Sequence, residues 1–181
     1  GLFTQAGGVP ANYVAKRDGT NWSALGTGVN NEVYAMTLSG SDVYVGGNFA
    51  QAGGITANCI ARWDGTSWSA LGSGVNGQVY ALAVSGTDLY AGTDGGGVYR
   101  SVDRGTLWKP ASSGLTNLEI TSFAISGEKL FAGTYGAGVF LSTDNGACWT
   151  DINQGVRSAF ITELAVSGTT LFAGALHMGS T

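Results

Sequence analysis

Glu32-Val-Tyr-Ala-Met-Thr-Leu-Ser-Gly40 returns three times along the chain, as Gln78-Val-Tyr-Ala-Leu-Ala-Val-Ser-Gly86, Glu119-Ile-Thr-Ser-Phe-Ala-Ile-Ser-Gly127 and Phe160-Ile-Thr-Glu-Leu-Ala-Val-Ser-Gly168. Each copy alternates β-branched or aromatic residues with small or polar ones and ends in a Ser-Gly turn, the pattern of a strand entering a hairpin. Trp22, Trp68, Trp108 and Trp149 mark the same repeat, spaced 46, 40 and 41 residues apart. A period of about 20–50 residues signals a solenoid, a propeller or an array, because each unit buries its apolar face only against the next.

Three further strand-compatible segments complete each unit. The second is Asp42-Val-Tyr-Val-Gly46, Asp88-Leu-Tyr-Ala-Gly92, Lys129-Leu-Phe-Ala-Gly133 and Thr170-Leu-Phe-Ala-Gly174. The third is Tyr13-Val-Ala-Lys-Arg17, Cys59-Ile-Ala-Arg-Trp63, Gly97-Val-Tyr-Arg-Ser101 and Gly138-Val-Phe-Leu-Ser142. The fourth starts at each repeat tryptophan. Four antiparallel strands in about 40–45 residues is the signature of a propeller blade. The expectation is therefore an all-β propeller with four four-stranded blades per chain.

The chain opens with segments three and four and ends with segments one and two. The terminal strands are thus expected to complete one shared blade, which pairs edges that would otherwise invite aggregation. Residues 1–174 form the repeats, and residues 175–181 fall outside them as a tail that reads as vector-derived. Two closures compete. Four blades can make one tight ring, or two chains can exchange terminal segments and build an eight-bladed ring. Small first-segment residues such as Ala35, Ala81, Ser122 and Ala165 suit the tight ring. The Tyr, Leu and Phe residues of the other segments need thick blade contacts, which favours the homodimer.

Composition narrows the functional classes. Of 181 residues 31 are Gly and only 11% are charged, with a net charge of −4 and a pI near 4.7. Phosphate binding needs clustered Lys and Arg, and eight cationic residues spread over four repeats form no such cluster, so nucleic acid is excluded as a partner. No apolar run approaches the roughly 18–20 residues of a helical membrane span. Few lysines and a Gly/Ser/Thr/Asn bias suit an extracellular or cell-surface protein. Cys59 and Cys148 occupy different slots two repeats apart and are not expected to pair.

The turns before the last two repeat tryptophans read Ser101-Val-Asp-Arg-Gly-Thr-Leu-Trp108 and Ser142-Thr-Asp-Asn-Gly-Ala-Cys-Trp149. This Ser-x-Asp-x-Gly-x-x-Trp pattern resembles the Asp-box (BNR) repeat of sialidases and other propellers. The structural residues implied are Ser101, Asp103, Gly105, Trp108, Ser142, Asp144, Gly146 and Trp149. The first half has shorter turns, Arg17-Asp-Gly-Thr-Asn-Trp22 and Trp63-Asp-Gly-Thr-Ser-Trp68. With their Phe-x-Gln-Ala-Gly-Gly loops they resemble Kelch-like secreted repeats. Both resemblances imply a propeller; an Asp-box is a folding motif on the face opposite the usual active site.

No catalytic constellation accompanies the repeats. A sialidase-like site needs converging arginines, a Tyr–Glu pair and an acid, yet Arg17, Arg62 and Arg100 lie on third segments and Arg104 in a turn. His177 is the only histidine and lies in the tail. No metal or cofactor motif is present, and none is expected. Binding is the stronger class. Loops two-to-three and four-to-one share one face of a propeller, gathering Gln5, Asn12, Asn30, Asn31, Gln51, Asn58, Asn76, Tyr135 and Arg157; Glu163 is the one charge inside a first segment. Amides and aromatics on rigid loops suit a carbohydrate or a protein partner. The expected function is a non-catalytic platform for ligand binding or interaction, with a bare repeat scaffold and a glycan-cleaving enzyme as the alternatives.

Overall fold

A computed structural model describes residues 1–154 and 160–176 as strands, turns and loops, with no helix among them. The chain opens with a hairpin of β1 (Gln5–Ala6) and β2 (Val9–Pro10), then a two-stranded sheet of β3 (Ala15–Arg17) and β4 (Trp22–Ala24). The first four-stranded sheet starts with β5 (Val33–Ser39) and β6 (Asp42–Gly47). A hairpin of β7 (Gln51–Ala52) and β8 (Ile55–Thr56) interrupts it before β9 (Ile60–Trp63) and β10 (Trp68–Ala70). The second holds β11 (Val79–Ser85), β12 (Asp88–Thr93), β13 (Gly97–Ser101) and β14 (Lys109–Pro110). The third holds β15 (Ile120–Ser126), β16 (Lys129–Thr134), β17 (Val139–Ser142) and β18 (Thr150–Asp151). A last pair, β19 (Phe160–Ser167) and β20 (Thr170–Leu176), ends the described chain. Each sheet is an antiparallel meander in segment order, and β20 runs two residues past Gly174, pairing Ala175 with Ile161 and Leu176 with Phe160.

The period-two alternation of the first strands dictates how the sheets stack. Leu82 and Val84 face the preceding sheet and pack with Tyr44, Ile60 and Leu89. Ala81 and Ala83 face the following one and pack with Tyr90, Ile120 and Phe140. The contact between the third sheet and the last hairpin repeats this with Ala124, Phe131, Ile161 and Leu164. A large side chain from one sheet thus meets small ones from its neighbour, so adjacent first strands approach closely. A Cβ on Gly46 would lie 2.4 Å from Val79, and one on Gly92 would lie 2.5 Å from Ile120. Only glycine admits that contact.

The first strands pack in series, β5 on β11, β11 on β15 and β15 on β19. Among the described residues, β3 and β20 lie in separate two-stranded sheets, β3–β4 and β19–β20. The β3–β4 pair packs on the first sheet through Val14 and Leu25.

Three of the four repeat tryptophans pack on the sheet before their own. Trp68, Trp108 and Trp149 donate their indole N–H to the carbonyls of Leu25 at 2.7 Å, Leu71 at 3.2 Å and Ala111 at 2.8 Å. Trp22 has no preceding sheet and is exposed. Trp149→Ala should therefore cost roughly 3–5 kcal/mol in urea denaturation, as expected for emptying a large buried site; unchanged stability would show that the indole is no plug.

The two longer turns share one hydrogen-bond pattern. The Ser101 hydroxyl donates to Asp103 at 2.7 Å and accepts from Gly105 N–H at 2.8 Å, while the Leu107 N–H donates to the Asp103 carboxylate at 2.9 Å. Ser142, Asp144, Gly146 and Cys148 repeat these bonds. In the shorter turns Asp18 accepts from the Thr20 and Asn21 amides and Asp64 from those of Thr66 and Ser67. Cys59 and Cys148 are free thiols.

These bonds favour the ionised carboxylates. The amide of Asn21 for Asp18, that of Ser67 for Asp64, the Ser101 hydroxyl for Asp103 and the Cys148 amide for Asp144 each hold the acid below the usual carboxylate range. A depressed folded-state value adds stability above the ordinary value, lost as pH falls through the depressed one. The melting temperature should accordingly be level above pH ~5 and decline below pH ~4, less steeply in Asp64→Asn and Asp144→Asn. A melting temperature indifferent to acid would refute this account of the turns.

Candidate functional site

Every first strand carries a bulge after its first β-branched residue, which lifts Tyr34, Tyr80, Thr121 and Thr162 out of the pairing register. A bulge re-aims the side chain it displaces. Tyr34 and Tyr80 come together at a ring separation of 5.1 Å. With Ser122, Phe123 and Glu163 they help line a cavity of about 200 Å³ between the first strands. The Ser122 hydroxyl is buried there without a hydrogen-bond partner among the described residues.

A second, more apolar cleft of about 350 Å³ adjoins it, lined by Tyr80, Glu119, Thr121, Tyr135, Phe160 and Thr162. Tyr135 and Phe160 meet edge to face at 4.1 Å, and their backbones form an isolated bridge. The wall is anchored from below. The Asn117 amide donates to the Tyr135 carbonyl at 2.7 Å and accepts from the Glu119 N–H at 2.8 Å, and the Tyr135 N–H donates to the Glu119 carbonyl at 3.0 Å. Such cross-bonding fixes the backbone that carries Tyr135, so less ordering is left to cost on binding.

The mouth of the axis is acidic. The Tyr34 hydroxyl donates to the Glu32 carboxylate, and that bond, above all, pushes its phenol up to about 12. The Tyr80 phenol is raised first by burial and then by the carboxylates of Asp94, Glu119 and Glu32. Both tyrosines are neutral donors at physiological pH.

The residues expected from the loops divide into two groups. Asn12 and Asn58 donate to the carbonyls of Thr27 at 3.0 Å and Ser73 at 2.9 Å. Asn30 accepts from the Ala50 and Gln51 amides, both at 2.9 Å. These three amides are engaged in holding loop backbone. Gln5, Gln51 and Asn76 are exposed and Asn31 is half-buried, and none of the four lines the axial cavity or the adjoining cleft. Tyr135 and Glu163 do line them, whereas Arg157 and His177 lie outside the described residues. Sequence reasoning missed Tyr34, Tyr80, Glu119 and Phe160. The signal for Tyr34 and Tyr80 was present in the column after Val33 and Val79, which reads as ordinary strand alternation until the bulge is seen; Glu119 and Phe160 stand in the column before Ile120 and Ile161.

Among the described residues the cationic side chains lie elsewhere. Arg62 pairs with Asp42 at 3.4 Å, and Arg100 bonds Asp88 through Nε at 3.0 Å, both between second and third strands. Among the described residues no group of three His, Cys, Asp or Glu side chains could hold a metal ion, and no helix is long and apolar enough to cross a membrane.

No family model and no curated protein matches the chain. Solved structures do. The chain is similar to the computationally designed Ika4 protein at 20% identity, over 82% of this chain and 88% of that one, with a TM-score of 0.61. The extracellular domain of the one-component system BT4673 from B. thetaiotaomicron matches at 18% identity, over 89% of this chain but 22% of that one, with a TM-score of 0.67. A GH74 enzyme from Niastella koreensis matches at 22% identity, over 79% of this chain and 26% of that one, with a TM-score of 0.59. The chain thus spans about a quarter of the length of these two larger proteins. These neighbours are of propeller type, and the fold of the chain is a β-propeller fold.

Proposed function

We propose that the chain is a non-catalytic propeller module that serves as a ligand-binding or interaction platform of a secreted or surface protein. The observation that carries this reading is the anchored aromatic cleft of Tyr80, Tyr135 and Phe160, with Glu119, Thr121 and Thr162 as its polar groups. Aromatic walls with a few convergent hydroxyl and carboxylate groups suit the apolar faces and hydroxyls of a carbohydrate. An acidic mouth disfavours anionic sugars. Arg62 and Arg100 are held in ion pairs with Asp42 and Asp88, away from the cleft, which supports the non-catalytic reading. The extracellular BT4673 domain supports a surface location. The long turns are read as Asp-boxes and the short ones as Kelch-like.

One observation favours a second reading. The designed Ika4 protein matches over most of its own length, which suits a bare scaffold without a ligand. A neutral-glycan array followed by calorimetry separates the two. Binding should weaken at least tenfold in Tyr135→Ala and in Phe160→Ala, with no turnover of a fluorogenic glycoside panel. Silence across the array leaves the scaffold reading, and turnover abolished by Glu119→Gln overturns the non-catalytic one.

The propeller itself is read as an eight-bladed ring of two chains, in keeping with the open run of sheets and the unpaired terminal hairpins. Light scattering at micromolar concentration should give about 37 kDa, twice the 18.4 kDa of one chain; the mass of a single chain refutes the ring.

A further inference from the structure

Each contact between sheets is built from the same parts, and the chain carries one unused set, divided between its two ends. The second strands contribute an aromatic residue that is buried against the next sheet: Tyr44 and Tyr90 are each 1% exposed and Phe131 is 9% exposed. Phe172 occupies the same column and is 57% exposed. On the receiving side, Leu82 and Val84 are partly buried, as are Phe123 and Ile125. Their counterparts on β5, Met36 and Leu38, are 57% and 67% exposed.

The glycine column points the same way. Gly46, Gly92 and Gly133 lie against the β-branched residue that opens the next first strand, Val79, Ile120 and Ile161, with room for no Cβ. Gly174 is their fourth member. A Cβ there would meet only its own hairpin, with Thr162 Oγ1 nearest at 3.3 Å. The fourth β-branched member is Val33. It borders a groove of about 610 Å³ between β3 and β5, whose lining includes Val14, Ala15, Tyr34 and Met36. That groove occupies the place where the other sheets have their first and second strands, and the inner edge of β3 pairs with no strand among the described residues.

We propose that the β19–β20 hairpin of one copy of the chain fills the β3–β5 groove of a second copy, seating Gly174 on the second copy's Val33 and Phe172 against its Met36 and Leu38. The proposal rests on the two-chain ring and adds its seat and register. In the first sheet Val43 pairs with Trp63, Tyr44 with Arg62, Val45 with Ala61 and Gly46 with Ile60. The second sheet keeps the same offset, pairing Gly92 with Val98 and Tyr90 with Arg100. Carried to the open edges, that offset pairs Leu171 with Arg17, Phe172 with Lys16, Ala173 with Ala15 and Gly174 with Val14 of the second copy. By symmetry the exchange occurs twice and leaves neither β3 nor β20 with a free edge. Trp22, which has no preceding sheet in its own chain, then gains one from the second copy.

Gly174→Val is the decisive variant, because an added side chain is accommodated in the isolated hairpin and obstructs only the seat. Light scattering of this variant should give the mass of one chain while its circular dichroism keeps the parent's strand signature. In a Cys59→Ser, Cys148→Ser background, chains carrying Ala15→Cys should form disulfides with chains carrying Ala173→Cys on mixing. Cross-strand partners lie about 4.5–5.5 Å apart between Cα atoms, within reach of a disulfide. A parent of about 37 kDa whose Gly174→Val variant stays dimeric, or whose mixed cysteines fail to join, overturns this seat and leaves the two-chain ring standing. A parent of one-chain mass overturns both.

Discussion

The approach of a second-strand glycine to the β-branched residue that opens the next first strand governs the rest of the molecule. At Gly46, Gly92 and Gly133 the neighbouring side chain occupies the space a Cβ would take. That contact sets how near adjacent sheets come at their inner ends. It also fixes Val79, Ile120 and Ile161 in place, and the residue immediately after each is the one displaced from the pairing register. The aromatic and hydroxyl groups at the mouth of the axis are thus a consequence of how tightly the sheets pack at their base.

The repeat was legible because it is written in three independent alphabets: strand alternation, turn glycines and tryptophan spacing. Each alone is a weak signal, and their agreement at four places fixes element order and sheet membership, down to the split pairs β3–β4 and β19–β20. The turns around Asp103 and Asp144 were legible for a related reason, since a short polar turn must satisfy its own amides and few side chains do so at that spacing.

The binding face was less legible, and the cause is physical. Asn12, Asn30 and Asn58 look like ligand donors in a sequence because polar loop residues are where ligands bind. Loop backbone also needs hydrogen bonds, and an amide that can donate and accept supplies them locally. Their engagement with Thr27, Ala50, Gln51 and Ser73 is invisible to pattern reading, as it joins residues about 15–21 positions apart. Tyr34 and Tyr80 were hidden the other way. A bulge changes where a side chain points without changing the composition of the strand.

The two halves of the chain differ in a way that bears on where a ligand can lie. In the first half the long connection between second and third strands folds into the hairpins β1–β2 and β7–β8, whose Gly7 and Gly53 lie tight against Trp22 and Trp68. That connection is consumed in covering its own sheet. In the second half the connection shrinks to Thr93–Gly96 and Thr134–Ala137, and the longer Asp103 and Asp144 turns stand at the other end of the sheets. With no hairpin beside it, Tyr135 stays exposed, its ring edge-on to Phe160 and its backbone carbonyl bonded by the Asn117 carboxamide. The difference in loop length between the halves is therefore what opens the aromatic cleft at one end of the chain.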